Sequence, residues 1–393
     1  NSFNSTAVIA QHSLEIPSIK TKIIGGVSLD HSPVSYDAYS IDLAAQMRPD
    51  GKSVEKYTLV AERPDVVLAN YDANLINSAA YVQAEIKPID HLTLTVGARY
   101  DDMRFTYTNY LDNSDGEKSY HQITPKIGAT YQINDHAGAY VNYSQGFSPP
   151  ALTSIFRKKP NTDPAEFYYN LEAAQFTNYE IGGWVSLFNN KLDLDASLYE
   201  MIGRNELLNV KQPDNSTDYQ SAGKTLHRGI EFGFTYRPNT QWTIRFGGTN
   251  ALHRYEEFLL STKATDAIQN VNGKIMPSSP KWISNSELTY KPKFVQGLRV
   301  GLEWQVMSWW YQNQVNTVKY DDEGFLDVKG LSVLNIRAGY QWKSMELFTH
   351  IMNATDELYA FNASRGNAVT NQTTFTAAPP RTFVMGIQYN FNG

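Results

Sequence analysis

The chain of 393 residues contains no cysteine, which removes disulfides, thiolate zinc sites and thiol catalysis. It has no uninterrupted apolar run approaching the roughly 18 to 20 residues that cross a bilayer as a helix, and its mean hydropathy is −0.43. A helical membrane protein is excluded. Basic charge is in deficit, with 34 Lys plus Arg against 40 Asp plus Glu and a net charge of −6. That balance gives no footprint for nucleic acid. The opening Asn1-Ser2-Phe3-Asn4 shows neither the positive region nor the apolar stretch of a signal peptide.

Motifs for chemistry are missing too. No HExxH, GxSxG or GxGxxG occurs. Gly51-Lys52-Ser53 looks like part of a phosphate loop, but Gln46 stands where its first glycine belongs. Asp112-Asn113-Ser114-Asp115-Gly116-Glu117 has the composition of a calcium site, yet its spacing fails the twelve-residue loop and Asp115-Gly116 reads as a turn. The eight histidines are dispersed. No enzyme activity, cofactor or metal is expected.

Aromatics are abundant: 25 Tyr, 18 Phe and 7 Trp make 13% of the chain. They sit in segments that alternate apolar and polar residues, the signature of strands. Leu298, Val300, Leu302, Trp304, Val306 and Trp310 take one parity, broken at Ser308, while Arg299, Gly301, Glu303, Gln305, Met307 and Trp309 take the other. Leu92 to Tyr100, Ile230 to Tyr236 and Trp242 to Phe246 repeat the pattern. Apolar bands of about ten residues with aromatic ends fit tilted membrane strands whose rings sit at the two interfaces.

Strands are expected at about 5–15, 20–30, 75–87, 91–108, 120–132, 136–146, 177–188, 191–204, 225–237, 240–256, 280–291, 297–312, 330–342, 345–352 and 380–391. Their connections alternate. Short turns rich in Pro, Asn and Asp, such as Asn189-Asn190 and Pro238-Asn239, separate long polar segments at about 31–74, 109–119, 147–176, 205–224, 257–279, 313–329 and 353–379. Short turns on one rim and long loops on the other build an outer-membrane barrel. The expected fold is therefore all-β, a transmembrane antiparallel β-barrel. Fifteen is odd, whereas bacterial single-chain barrels close with an even number, and open edges in lipid cost several kcal/mol per unsatisfied backbone group. The chain is expected to be the C-terminal part of a larger barrel.

Several segments resemble successive landmarks of TonB-dependent outer-membrane receptors. They are Val96-Gly97-Ala98-Arg99-Tyr100-Asp101, Ile123-Thr124-Pro125-Lys126-Ile127-Gly128 with Tyr143 to Pro150, Asn178-Tyr179-Glu180-Ile181-Gly182, Arg228-Gly229-Ile230-Glu231, Met276-Pro277 with Ser279-Pro280, Met352-Asn353-Ala354-Thr355-Asp356 with Tyr359, and Pro380-Arg381-Thr382-Phe383. The likeness runs from about residue 75 to the end. It implies a barrel of about 22 strands, with a signal peptide, a TonB box, a plug and the first strands preceding residue 1, so that residues 1–393 form a partial barrel domain. It further implies a receptor in the outer membrane of a Gram-negative bacterium, surrounded by its lipid and importing a ferric siderophore. TonB with ExbB and ExbD would supply energy through the plug. Haem or cobalamin import, and a passive porin or adhesin barrel, stay open as alternatives.

Candidate ligand contacts lie in the long loops. Arg157, Lys158 and Lys159, followed by Tyr168 and Tyr169, join cations to aromatic faces that suit an anionic iron chelate; Trp309, Tyr311, Arg254, Tyr255 and Arg365 are further candidates. Asp163-Pro164-Ala165-Glu166 reads as a capping box opening a short helix. The lumen-side charges Glu85, Arg99, Asp101, Lys126, Glu180, Glu231, Arg245, Glu303 and Arg337 are expected to pair across strands and to hold the plug. In the last strand Phe383, Met385, Ile387, Tyr389 and Phe391 share a face. Phe391 resembles the terminal aromatic signal read by the barrel-assembly machinery, although Asn392-Gly393 follow it.

Overall fold

The computed structural model describes residues 2–49, 51, 54–162 and 166–391. The proposed capping box at Asp163-Pro164-Ala165, Lys52-Ser53 and the terminal Asn392-Gly393 lie outside the described residues.

The strands in chain order are β1 (Ser2–Phe3), β2 (Thr6–Ile16), β3 (Thr21–Met47), β4 (Val54–Ile89), β5 (Leu92–Asn109), β6 (Ser114–Asn134), β7 (Ala137–Ser148), β8 (Ala174–Leu187), β9 (Leu192–Lys211), β10 (Thr217–Tyr236), β11 (Trp242–Glu257), β12 (Trp282–Tyr290), β13 (Leu298–Ser308), β14 (Trp310–Tyr311), β15 (Lys319–Tyr320), β16 (Gly330–Trp342), β17 (Met345–Met352), β18 (Ala360–Arg365), β19 (Thr373–Ala377) and β20 (Thr382–Tyr389). A single helical turn, α1 (Leu152–Ile155), interrupts the connection after β7. One sheet of sixteen strands runs β1-β3-β4-β5-β6-β7-β8-β9-β10-β11-β12-β13-β16-β17-β20, with β2 also on β3. Two-residue β1 pairs with Val34 and Ser35, just beyond the stretch of β3 that β2 occupies, so the two form one interrupted line. Among the described residues fifteen strand positions result, matching the fifteen expected from alternation.

Parity sorts the faces. Val96, Tyr100, Ile127, Ile181, Leu198, Leu302 and Ile387 point outward on the apolar face, while Asp101 and Glu303 on the other face are buried. So many exposed apolar side chains are stable only against a second apolar phase, which the bilayer supplies. The short connections are tight turns as expected; Phe188, Asn189 and Asn190 all adopt the left-handed conformation.

Three of the long loops are instead strands. Residues 31–47 and 54–74 are the outer halves of β3 and β4, which run for 27 and 36 residues. A tilted crossing needs only about 9 to 11 residues. Likewise 109–119 and 205–224 are mostly extensions of β5, β6, β9 and β10. Outside the bilayer both faces of a strand are wet, so the apolar alternation fades although the ladder continues. Two further corrections concern strand ends. The strand expected at 297–312 stops at Ser308, and Trp310 leaves the membrane face to stack, 4% exposed, on Tyr320 in the separate β14–β15 ribbon. The last strand ends at Tyr389, placing Phe391 beyond it.

The contacts divide into two units. The first comprises Asn1–Ala84, Gly97–Pro125 and Phe147–Ala173, and the second Glu85–Val96, Lys126–Gly146 and Ala174–Gly393. The first has a core of Phe105, Tyr120, Ile155, Phe156, Phe167 and Ala173. The second gathers its loop cores around Trp310 with Tyr320 and around Tyr255 with Val271 and Val315.

Candidate ligand site

In the first unit, strand register lines up aromatic rings from distant parts of the chain. Tyr36 on β3 stacks on Tyr71 of β4 at 5.3 Å and 17°. Tyr71 meets Tyr107 of β5 at 5.2 Å, and Tyr107 lies parallel to Phe156, 5.0 Å away with the planes 7° apart. Tyr107 shares the parity of Asp101 and Arg99, so the ladder stands on the polar strand face above the ion pair Arg99–Asp101 (2.8 Å). Asn77 of β4 donates to Asp101 at 3.2 Å from the same face. Tyr36 and Tyr71 fell within a segment read as a loop. Their signal was the alternation of Tyr39, Ile41 and Leu43 with Ser40 and Asp42, which marks a strand.

The basic loop folds down onto this ladder. Phe156 and Phe167 pack edge to face at 5.7 Å, Tyr169 closes on both, and Tyr120 donates its hydroxyl to the carbonyl of Leu171 at 3.1 Å. Lys118 Nζ holds the carbonyl of Tyr169. Of the expected contacts, Arg157 and Lys158 are exposed and Tyr169 is 40% exposed, whereas Tyr168 is 1% exposed inside the loop's own packing. Lys158 pairs with Asp112, and Lys159 reaches Glu166 at 3.4 Å while lying 5.8 Å from the Tyr168 ring centre. The Lys158 ammonium and the Ser114 hydroxyl hold the Asp112 carboxyl at about 2, down from 3.8. These lysines are therefore committed to acids within the loop region.

In the second unit Trp309 and Tyr311 come together, edge to face at 5.5 Å, and they receive the chain's own cation. Lys319 Nζ lies 3.9 Å from the Trp309 ring centre and 5.7 Å from that of Tyr311. Arg365 donates to the carbonyl of Val369 at 2.8 Å, and Arg254 pairs with Glu256. Tyr255 is buried at 4%.

The wall charges divide into paired and polar-bonded groups. Glu303, 8% exposed, collects Arg337, Asn285 (2.8 Å), Asn335 (3.2 Å) and Gln305 (3.3 Å). Arg245 faces Glu287 at 3.8 Å. Glu180 takes the hydroxyl of Tyr140 rather than a cation. Glu231 and Arg245 line a cavity of about 870 Å³ with Asp195, Glu287, Gln305 and Tyr359. Lys126 is exposed, and Glu85 lies towards the end of β4. Among the described residues, no three or more His, Asp or Glu gather as a metal cluster.

A meander of long antiparallel strands, apolar outward and charged on the other face, defines an outer-membrane β-barrel protein. Residues 11–354 match the family described as TonB dependent receptor-like, beta-barrel, and the chain belongs to that family. It is thus an outer-membrane protein of the Gram-negative type. A ferripyoverdine receptor of Pseudomonas aeruginosa is 26% identical over 181 residues, covering 44% of this chain and 20% of that protein. The siderophore receptor PiuA of Acinetobacter baumannii superposes with a TM-score of 0.73 at 18% identity, over 98% of this chain and 56% of that one. The copper transporter OprC gives 0.69 at 16%, over 98% and 56%. The chain spans about half the length of the solved relatives it matches, and at these identities their likeness is one of fold.

Proposed function

We propose that this chain is the barrel part of a receptor that imports a ferric siderophore, driven through TonB, ExbB and ExbD acting on a plug. The observation that carries the reading is the Tyr36–Tyr71–Tyr107 ladder on the polar strand face, closed by Phe156 at its Tyr107 end and half-exposed along its side, against which aromatic groups of a chelate can pack edge to face. Stacked rings contribute about 0.5 to 1.5 kcal/mol per pair beyond their area burial. Exposed Arg157 at the same loop supplies a cation for an anionic chelate, and Trp309, Tyr311 and Arg365 offer a second set of aromatic and cationic contacts. The siderophore receptors among the similar proteins support the same cargo class. In this reading the wall charges Glu85, Arg99, Asp101, Glu180, Glu231, Arg245, Glu303 and Arg337 seat the plug, and Phe391 serves the barrel-assembly machinery.

The test is binding of a panel of ferric chelates to the full-length receptor, followed by intrinsic fluorescence, together with iron uptake by cells. Tyr71→Ala and Tyr107→Ala are each expected to weaken the cognate chelate by about 1 kcal/mol. If no ferric chelate binds, or both variants bind it as the parent does, the proposal fails.

A further inference from the structure

The dispersed histidines include two that register brings face to face. His227 of β10 and His253 of β11 are direct cross-strand partners, both half-buried, with Nδ1 atoms 2.8 Å apart and ring centres at 5.0 Å. A chain of hydrogen bonds sets the tautomer of the first. The Thr225 hydroxyl contacts Glu206 Oε1 and lies 3.0 Å from His227 Nε2. A hydroxyl has one proton, and an ionised carboxylate only accepts, so Thr225 donates to Glu206 and accepts from His227 Nε2–H. Neutral His227 consequently presents a lone pair at Nδ1. His253 meets it with its own Nδ1–H.

We propose that His227 and His253 form a copper site on the polar face of β10 and β11. Two metal–nitrogen bonds of about 2.0 to 2.1 Å separate their nitrogens by roughly 2.9 Å at a right angle and by about 3.3 Å at the tetrahedral angle. The observed 2.8 Å is an N–H···N hydrogen bond, and it already holds the two Nδ1 atoms close enough that a small turn of the rings admits one metal ion between them. On binding, the His253 proton moves to Nε2 and both rings turn their Nδ1 lone pairs toward the metal, so no net proton is lost. The Glu206–Thr225–His227 relay is the outer hydrogen-bonding that orients metal-ligating histidines. Met201 of β9 is the cross-strand partner of His227 on its other side, placing a thioether in the same row. Two imidazoles suit copper, which stands highest in affinity among the divalent first-row metals.

The experiment uses the tag-free, full-length receptor in micelles, titrated with Cu(II) alone and with Zn(II) alone. Calorimetry gives stoichiometry, and electron paramagnetic resonance reads nitrogen ligation. One Cu(II) per chain with two-nitrogen coupling is expected, bound more tightly than Zn(II). His227→Gln and His253→Gln are each expected to abolish the nitrogen signature while the barrel keeps its heat-modifiable migration. Thr225→Val retains both imidazoles and is expected to weaken copper by about tenfold, which keeps the test decisive if a histidine variant fails to assemble. Absence of stoichiometric copper, copper binding unchanged in Thr225→Val and the histidine variants, or zinc binding as tightly as copper would overturn the proposal.

Discussion

Phe156 lies parallel to Tyr107, its ring 5.0 Å from a residue forty-nine positions earlier, and so ends an aromatic ladder begun on β3. The loop that carries Phe156 is thereby packed onto the wall rather than left in solvent. Phe156→Ala removes a buried ring, and changes of this kind cost about 3 to 5 kcal/mol in a core. The loss is expected to fall on the loop alone, since the ladder of strands beneath it is hydrogen-bonded independently. Trypsin is expected to cut after Arg157 and Lys158 markedly faster, while heat-modifiable migration of the barrel stays unchanged. Equal cutting of variant and parent would show that the ring contributes nothing to loop docking.

A second hold on the loop is the Lys158–Asp112 pair. The folded Asp112 carboxyl titrates at about 2 instead of 3.8. A lowered acid pKa contributes stability above the unfolded value and loses it as pH falls through the folded one. Loop protection is therefore expected to hold from neutral pH down to about 4 and to fade towards about 2. Asp112→Asn removes the carboxylate at every pH, so its protection at pH 7, read by hydrogen exchange at 155–160, is expected to match that of the parent near pH 2. A pH-independent parent profile would contradict this.

The facing assignment of β13 sets Leu302 against Gln305. Leu302 is 41% exposed on the apolar face, and Gln305 bonds to Glu303 on the other. Leu302→Arg is expected to impair assembly, because a cation at the bilayer midplane costs a barrel about 2 to 4 kcal/mol. Gln305→Arg keeps its charge off lipid and is expected to assemble near normally. Comparable loss of folded receptor from both, measured in membrane fractions, would refute the assignment.

Glu303→Gln tests the wall network. The amide keeps the shape but withdraws the charge from Arg337, whose side chain is 42% exposed and so partly compensated by water. A stability loss of about 1 to 3 kcal/mol in urea unfolding from micelles is expected. Replacing Arg337 with Met in the same background is expected to recover part of it, because no unpaired charge then remains.

Sequence alone determined the class of fold, the strand count and the sorting of faces. Period-two alternation is imposed locally wherever one face meets lipid and the other water, so Leu302 and Glu303 declare their sides without knowledge of any neighbour. Where lipid ends, that contrast weakens to short runs such as Tyr39, Ile41 and Leu43, and the outer halves of β3 and β4 read as loop although their backbone ladder continues. Trp310 shows the same limit: its parity placed it with the membrane-facing residues, but β13 had already ended at Ser308. Contacts between segments far apart in sequence were decided only by the tertiary structure. Tyr36, Tyr71 and Tyr107 become one ladder, and His227 and His253 one pair, because inter-strand hydrogen bonding fixes which residues stand opposite, and that register is written in no single segment; Phe156 joins the ladder through the packing of its loop.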